Sequence, residues 1–146
     1  MKKPEGFKTY KQRGEWVELM FMTRAAEHGY SVSRPWGDST RYDVSVEHEG
    51  RFARVQVKST TVDRGIGYTC FLKRTGIHYY TLEEVDFFAI YVIPADAWYI
   101  LPARVVLGNT SNIMLAPARK GQKYRRYLEA WELLGRRRRK VSEGKG

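Results

Sequence analysis

Residues 41–58, R-Y-D-V-S-V-E-H-E-G-R-F-A-R-V-Q-V-K, alternate apolar and polar side chains twice, over 42–47 and over 52–58, around a polar interval that contains Gly50. A period of two is the pattern of a half-buried strand, so this stretch predicts a β-hairpin. A symmetric turn centred between Glu49 and Gly50 sets Asp43 opposite Gln56, with Lys58 one step diagonal; a three-residue turn would slip the register and turn Asp43 to the other face. In the symmetric register one face carries Tyr42, Val44, Val46, Ala53, Val55 and Val57, and is core. The other carries Arg41, Asp43, Ser45, Glu47, Arg54, Gln56 and Lys58, which places an acid, an amide and an amine within roughly 5–8 Å at the level of Cβ. A polar hairpin face is most often its solvated side, so the spacing admits both a plain surface and a site.

Upstream, residues 12–28 follow a helical period. On a wheel Leu19, Met22, Ala25 and Ala26 gather opposite Arg13, Arg24, Glu27 and His28, and Glu15 and Glu18 fall inside the apolar arc. A carboxylate on a buried helix face is costly unless it is paired with a cation or binds a metal, and either reading fits each glutamate. Gly29 and Tyr30 end the helix, 31–33 is a short strand and 35–38 a turn into the hairpin.

Beyond the hairpin, 59–67 reads as loop and 68–74 as a strand ending on Lys73 and Arg74, followed by His78, Tyr79 and Tyr80, a basic and aromatic cluster that suits either a DNA backbone or a loop lining. Residues 87–93 and 97–101 form a strand pair, and the first is apolar throughout, as in a strand covered on both faces of a mixed sheet with helices on either side. Residues 124–134 predict a second helix that packs through Tyr124, Leu128 and Trp131 or through Tyr127, Trp131 and Leu134. The organisation expected is one domain over 1–135 and a flexible basic tail over 136–146, which begins with Arg136, Arg137, Arg138, Arg139 and Lys140.

Over 146 residues the formal charge is +10, which calls for a polyanionic partner; double-stranded DNA and RNA both meet that demand. One cysteine excludes an internal disulfide, the three histidines have no zinc-ligand spacing, and the first residues lack an apolar signal core. The expected location is cytoplasmic, with no membrane partner.

An aspartate on one strand and [D/E/Q]-x-K on the next resemble the signature of the PD-(D/E)xK nuclease superfamily, and here Asp43 and Gln56-Val57-Lys58 carry it. Glutamine in place of the usual acid is similar to the QxK variant of Mrr-like restriction nucleases and of intron-encoded homing endonucleases. Gly14 and Glu18 in R-G-E-W-V-E resemble the opening helix motif of Holliday-junction resolvases, which favours Glu18 as the helical acid and leaves Glu15 second.

The resemblance implies an α/β restriction-endonuclease-like core, a mixed central sheet flanked by α-helices, and hydrolysis of DNA phosphodiester bonds with Mg²⁺ or, in its place, Mn²⁺. It implies metal ligands at Asp43, Gln56, the carbonyl of Val57 and Glu18, with Lys58 orienting the attacking water or offsetting charge on the phosphate. Arg41, Arg54, Lys73, Arg74 and the basic tail are the expected nucleic-acid contacts. A homodimer or homotetramer is expected, because a single site cuts one strand. A DNA-binding module of the same fold without catalysis, and an RNA-binding accessory protein, are the alternatives.

Overall fold

The computed structural model describes residues 6–37, 39–72, 81–107 and 111–136. The first helix, α1, spans Tyr10–Glu27 and is capped by the Thr9 hydroxyl, which accepts from the Gln12 N–H. Strands follow at Ser31–Ser33 (β1), Val44–His48 (β2), Arg51–Thr60 (β3), Tyr68–Phe71 (β4), Phe87–Val92 (β5), Ala97–Pro102 (β6) and Asn112–Leu115 (β7), with a single-turn helix α2 at Ala103–Val106. The main sheet has the order β1-β2-β3-β5-β6, and β4 pairs with β7 in a separate two-stranded ribbon. Only β3 and β5 are parallel within the main sheet, so it is mixed, and the crossover between them contains β4.

The hairpin is β2 and β3, and its register is the one the alternation predicts: Val44 faces Val55, Val46 faces Ala53 and His48 faces Arg51. Glu49 and Gly50 form the two-residue turn with φ of 51° and 76°, positive at both positions as a twisted hairpin requires. Past Val44 the ladder changes, because the Asp43 N–H donates to the Val55 carbonyl at 2.9 Å. Asp43 therefore sits at a local departure from the regular pairing rather than squarely across from Gln56.

Two cores lie on opposite sides of the sheet. Val44, Val46, Ala53, Val55 and Val57 meet Val17, Phe21 and Ala25 of α1 on the first side, together with Trp98, Trp131 and Leu134. Phe88, Ile90, Val92, Tyr99 and Leu101 meet Cys70, Leu72, Ile113, Leu115 and Val106 on the second. Successive residues of β5 thus enter different cores, which is why that strand is apolar throughout. The second side is covered by the ribbon and by α2 as its helical element.

Further sequence expectations change, and the strand expected over 68–74 ends at Phe71. The buried line of α1 is Val17, Phe21 and Ala25, roughly a quarter-turn from the wheel reading, and Leu19 is 59% exposed. Phe21 sets this rotation: its ring reaches both Trp98 and Trp131, with centroids 5.8 and 5.6 Å away. β3 continues to Thr60, so the following loop is shorter than 59–67. The helix expected over 124–134 is instead two 3-10 turns, Arg125–Tyr127 and Trp131–Gly135. Between them Leu128 bridges to Tyr99, and Glu129 takes a left-handed φ of 50° while its N–H donates to the Trp98 carbonyl at 2.7 Å. Pairing with the sheet edge satisfies backbone groups that a continuous helix would have taken for itself.

Candidate active site

The site forms where the departure at Asp43, the middle of β3 and the flank of α1 meet. Asp43 is fixed twice: its N–H binds the Val55 carbonyl, and its Oδ2 accepts the Val57 N–H at 2.8 Å. Glu18 stands at the edge of the buried line of α1, and its carboxyl is hydrogen-bonded to that of Asp43. Arg34, just past β1, reaches Glu18 with Nη2–Oε2 of 3.3 Å. Gln56 and Lys58 lie on the side of β3 opposite Val55 and Val57, under the ribbon, and Gln56 is only 9% exposed.

The electrostatics follow from this burial. Burial, then the charge of Asp43, pushes the Glu18 carboxyl up to about 7, with Arg34 opposing. Burial also raises Asp43, while the Val57 N–H, the contact with Glu18 and the nearby charges of Lys58 and Arg34 pull it back. Both carboxyls are raised by burial, so the touching pair resists ionising together. Burial lowers the Lys58 amine, opposed by Cys70 and Asp43. The polar hairpin face is thus solvated at Arg41 and Glu47 but buried at Gln56, and Lys58 lies beside Cys70 of β4.

Among the described residues no group of three His, Cys, Asp or Glu side chains is placed to hold a metal ion. Glu18 and Asp43 bring two carboxylates together, and Gln56, on the β3 strand whose Val57 N–H holds Asp43, stands where the resemblance expects a third acid. That set fits a hard divalent cation, which takes carboxylate and amide oxygens alike, and two touching carboxyls that retain a proton near neutrality mark a place where positive charge is wanted.

The remaining sequence candidates are dispersed. Glu15 is exposed and outside the Glu18–Asp43 contact. The Arg41 guanidinium pairs with Glu84 at 2.9 Å and stays partly accessible. Arg54 is fully engaged: it donates to both carboxylate oxygens of Asp86 and to the carbonyls of Leu82 and Glu83, so it buttresses the turn before β5 and is poorly placed to grip a phosphate. Arg136 is exposed, while Lys73, Arg74, Arg137, Arg138, Arg139 and Lys140 lie outside the described residues. Arg34 is the site residue that sequence reasoning missed, because a single arginine before a proline carries no pattern of its own.

A family model described as PD-(D/E)XK endonuclease matches residues 8–134. Among solved structures the chain is similar to a bacterial homing endonuclease, I-Ssp6803I, at 29% identity and a TM-score of 0.76, covering 86% of this chain and 92% of that one. It is also similar in fold to Hjc of Archaeoglobus fulgidus, a Holliday junction resolvase from an archaeal hyperthermophile, at 14% identity and a TM-score of 0.51, covering 68% of this chain and 80% of that one. No curated protein sequence matches. Among the described residues no helix is long and apolar enough to cross a membrane.

Proposed function

The chain belongs to the PD-(D/E)XK endonuclease family, and on that premise we propose that it is a metal-dependent endonuclease of the homing type that hydrolyses phosphodiester bonds in double-stranded DNA. The observation that carries this reading is the contact between the Glu18 and Asp43 carboxyls beside the strand that bears Gln56 and Lys58. The likeness to I-Ssp6803I over 86% of the chain supports the homing type over restriction or repair.

Asp43, Glu18, Gln56 and the carbonyl of Val57 would hold the divalent cation, Mg²⁺ or in its place Mn²⁺, which when bound polarises the phosphate and lowers the pKa of the attacking water. The Val57 N–H holds Asp43 in one orientation before any ligand arrives, so little reorganisation is left to the moment of reaction. Arg34 restrains the Glu18 side chain through its ion pair. Lys58, beneath β4, presents an amine in a poorly hydrated setting, where a positive charge offsets charge gathering on the phosphate more strongly than it would in water. Its lowered pKa also suits it to orient a water molecule.

The test is cleavage of plasmid and genomic DNA pools under divalent-ion titration, since a site-specific enzyme ignores a random oligonucleotide. Asp43→Ala and Lys58→Ala are expected to abolish cleavage and to leave most DNA affinity in place, because affinity comes from the basic surface. If the wild-type protein binds duplex DNA yet cuts no pool with Mg²⁺ or Mn²⁺, and calorimetry finds no metal binding that Asp43→Ala removes, the inactive binding module takes the place of this reading.

A further inference from the structure

The ribbon of β4 and β7 hangs directly off the strand that bears Gln56 and Lys58. The Thr60 hydroxyl donates to the Thr69 carbonyl at 2.6 Å, the Thr69 N–H donates to the Val62 carbonyl at 3.0 Å, and Cys70 lies close enough to Lys58 for each to perturb the other. Cys70, Ile113 and Leu115 bury one side of the ribbon. The outer side is unusual for a surface: Phe71 is 55% exposed, Met114 39%, and Ile66 beside them 55%, with exposed Asn112 between. An open groove of about 610 Å³ runs along this side, and Met114, Asn112, Arg119 and Lys123 are among its walls.

Charge separates this surface from the rest of the protein. Residues 64–72 and 111–128 contain no Asp or Glu, yet they carry Arg64, Arg119, Lys120, Lys123, Arg125 and Arg126, all exposed. Among the described residues none of these six forms an ion pair. At the border Asp63 turns its carboxylate to the Gly65 N–H. Arg125 donates to the Lys120 carbonyl at 2.7 Å, which ties down the 119–126 strap, and from that strap Arg119 and Lys123 line the groove. A second copy of the chain would bring like charge against like charge here, so self-association is disfavoured on this side.

We propose that the outer side of the β4–β7 ribbon and the 119–126 strap form a duplex-DNA-reading surface: Arg119, Lys123 and Arg126 neutralise phosphates, and Asn112 and Met114 face base edges. A two-stranded ribbon is narrow enough to enter the major groove, whose base edges carry distinct donor, acceptor and methyl patterns. An amide suits the paired acceptor and donor of adenine, and an apolar tip suits the methyl of thymine. The inference deepens the DNA endonuclease reading, and it names residues that determine where the protein binds rather than how it cuts.

The test is made in metal-free buffer, so that binding is measured apart from cleavage. The triple variant Arg119→Ala, Lys123→Ala, Arg126→Ala should bind mixed-sequence duplex at least about tenfold more weakly near physiological salt, with the log–log salt slope flattened by roughly 2 to 3. The double variant Asn112→Ala, Met114→Ala should keep the salt slope but change the sequence enriched from a random duplex pool. These side chains are exposed, and unchanged melting confirms that each variant is folded. An unaltered salt slope in the first variant, an unaltered enriched sequence in the second, or equal competition by single-stranded DNA or duplex RNA overturns the proposal. Wild-type protein that shows this binding behaviour but cuts no DNA pool once Mg²⁺ or Mn²⁺ is added instead overturns the nuclease reading and leaves this surface standing.

Discussion

At the scale of single residues, the proton shared by Glu18 and Asp43 has a measurable consequence. The Glu18 carboxyl titrates near 7 in the folded protein against 4.5 in the unfolded chain, so between those values the folded state binds more protons. Stability contributed by that proton is present in full below about 4.5 and is lost as pH rises through 7; Asp43, also raised, acts in the same direction. Metal-free protein should therefore be less stable, and melt at lower temperature, at pH 8 than at pH 6, with a stability difference on the order of 1 kcal/mol once other titrations are subtracted with Glu18→Gln as reference. Thermal scans across that range decide it: equal pH dependence in Glu18→Gln would mean that the pair holds no proton. A second consequence follows at Gln56. Gln56→Glu restores the third carboxylate, so Mg²⁺ should bind more tightly by calorimetry, since one charge a few Å from the ion is worth roughly 1–4 kcal/mol at effective dielectrics of 80 to 20. Tighter binding need not speed turnover.

At the scale of elements, the break between the two 3-10 turns is where local pattern and long-range pairing compete. Glu129 replaces a helical turn with an edge contact: its Oε2 accepts the Trp98 N–H at 2.8 Å and its Oε1 accepts the Trp131 Nε1–H at 3.1 Å. Glu129→Ala should cost about 1–3 kcal/mol in urea unfolding, because both donors are left beside buried rings. Glu129→Gly should cost less than the alanine, since glycine adopts the left-handed φ without strain; the reverse order would show that this strain is smaller than the entropy glycine adds to the unfolded chain. The same competition explains what was legible in the sequence. The hairpin could be read to its register because alternation, Gly50 and a symmetric turn all specify one pairing. The polar face could be read as a cluster, yet its burial could not, since it is β4, reached through a crossover, that covers Lys58. Residues 124–134 look helical locally, and only Trp98, some thirty positions upstream, turns Glu129 into a strand-edge residue. The four residues of β7 are too short a run to declare themselves. On α1 the buried line departs from the apolar arc because one aromatic, Phe21, fitted between two tryptophans, outweighs several smaller side chains.

At the scale of the whole molecule, a charge of +10 on 146 residues bears on both the proposed DNA binding and the proposed assembly. Removing residues 136–146 should weaken duplex binding about equally for all sequences and flatten its salt dependence, since phosphate neutralisation carries no base information. A loss confined to one preferred sequence would assign the tail a reading role instead. Assembly is the complementary demand. The described residues hold one pair of touching carboxyls, and cutting both strands of a duplex takes two such sites, so a homodimer or homotetramer is expected. Its interface should lie away from the acid-free ribbon side, where like charges would face each other, and should use surface on which both signs occur. Light scattering at working concentration should give a mass of two or four chains, and raising salt should leave that mass unchanged while DNA affinity falls. A single-chain mass with and without DNA would restrict the protein to nicking or to transient pairing. A dimer that dissociates at low salt and re-forms at high salt would place the basic side in the interface, and would count against the ribbon as a surface reserved for DNA.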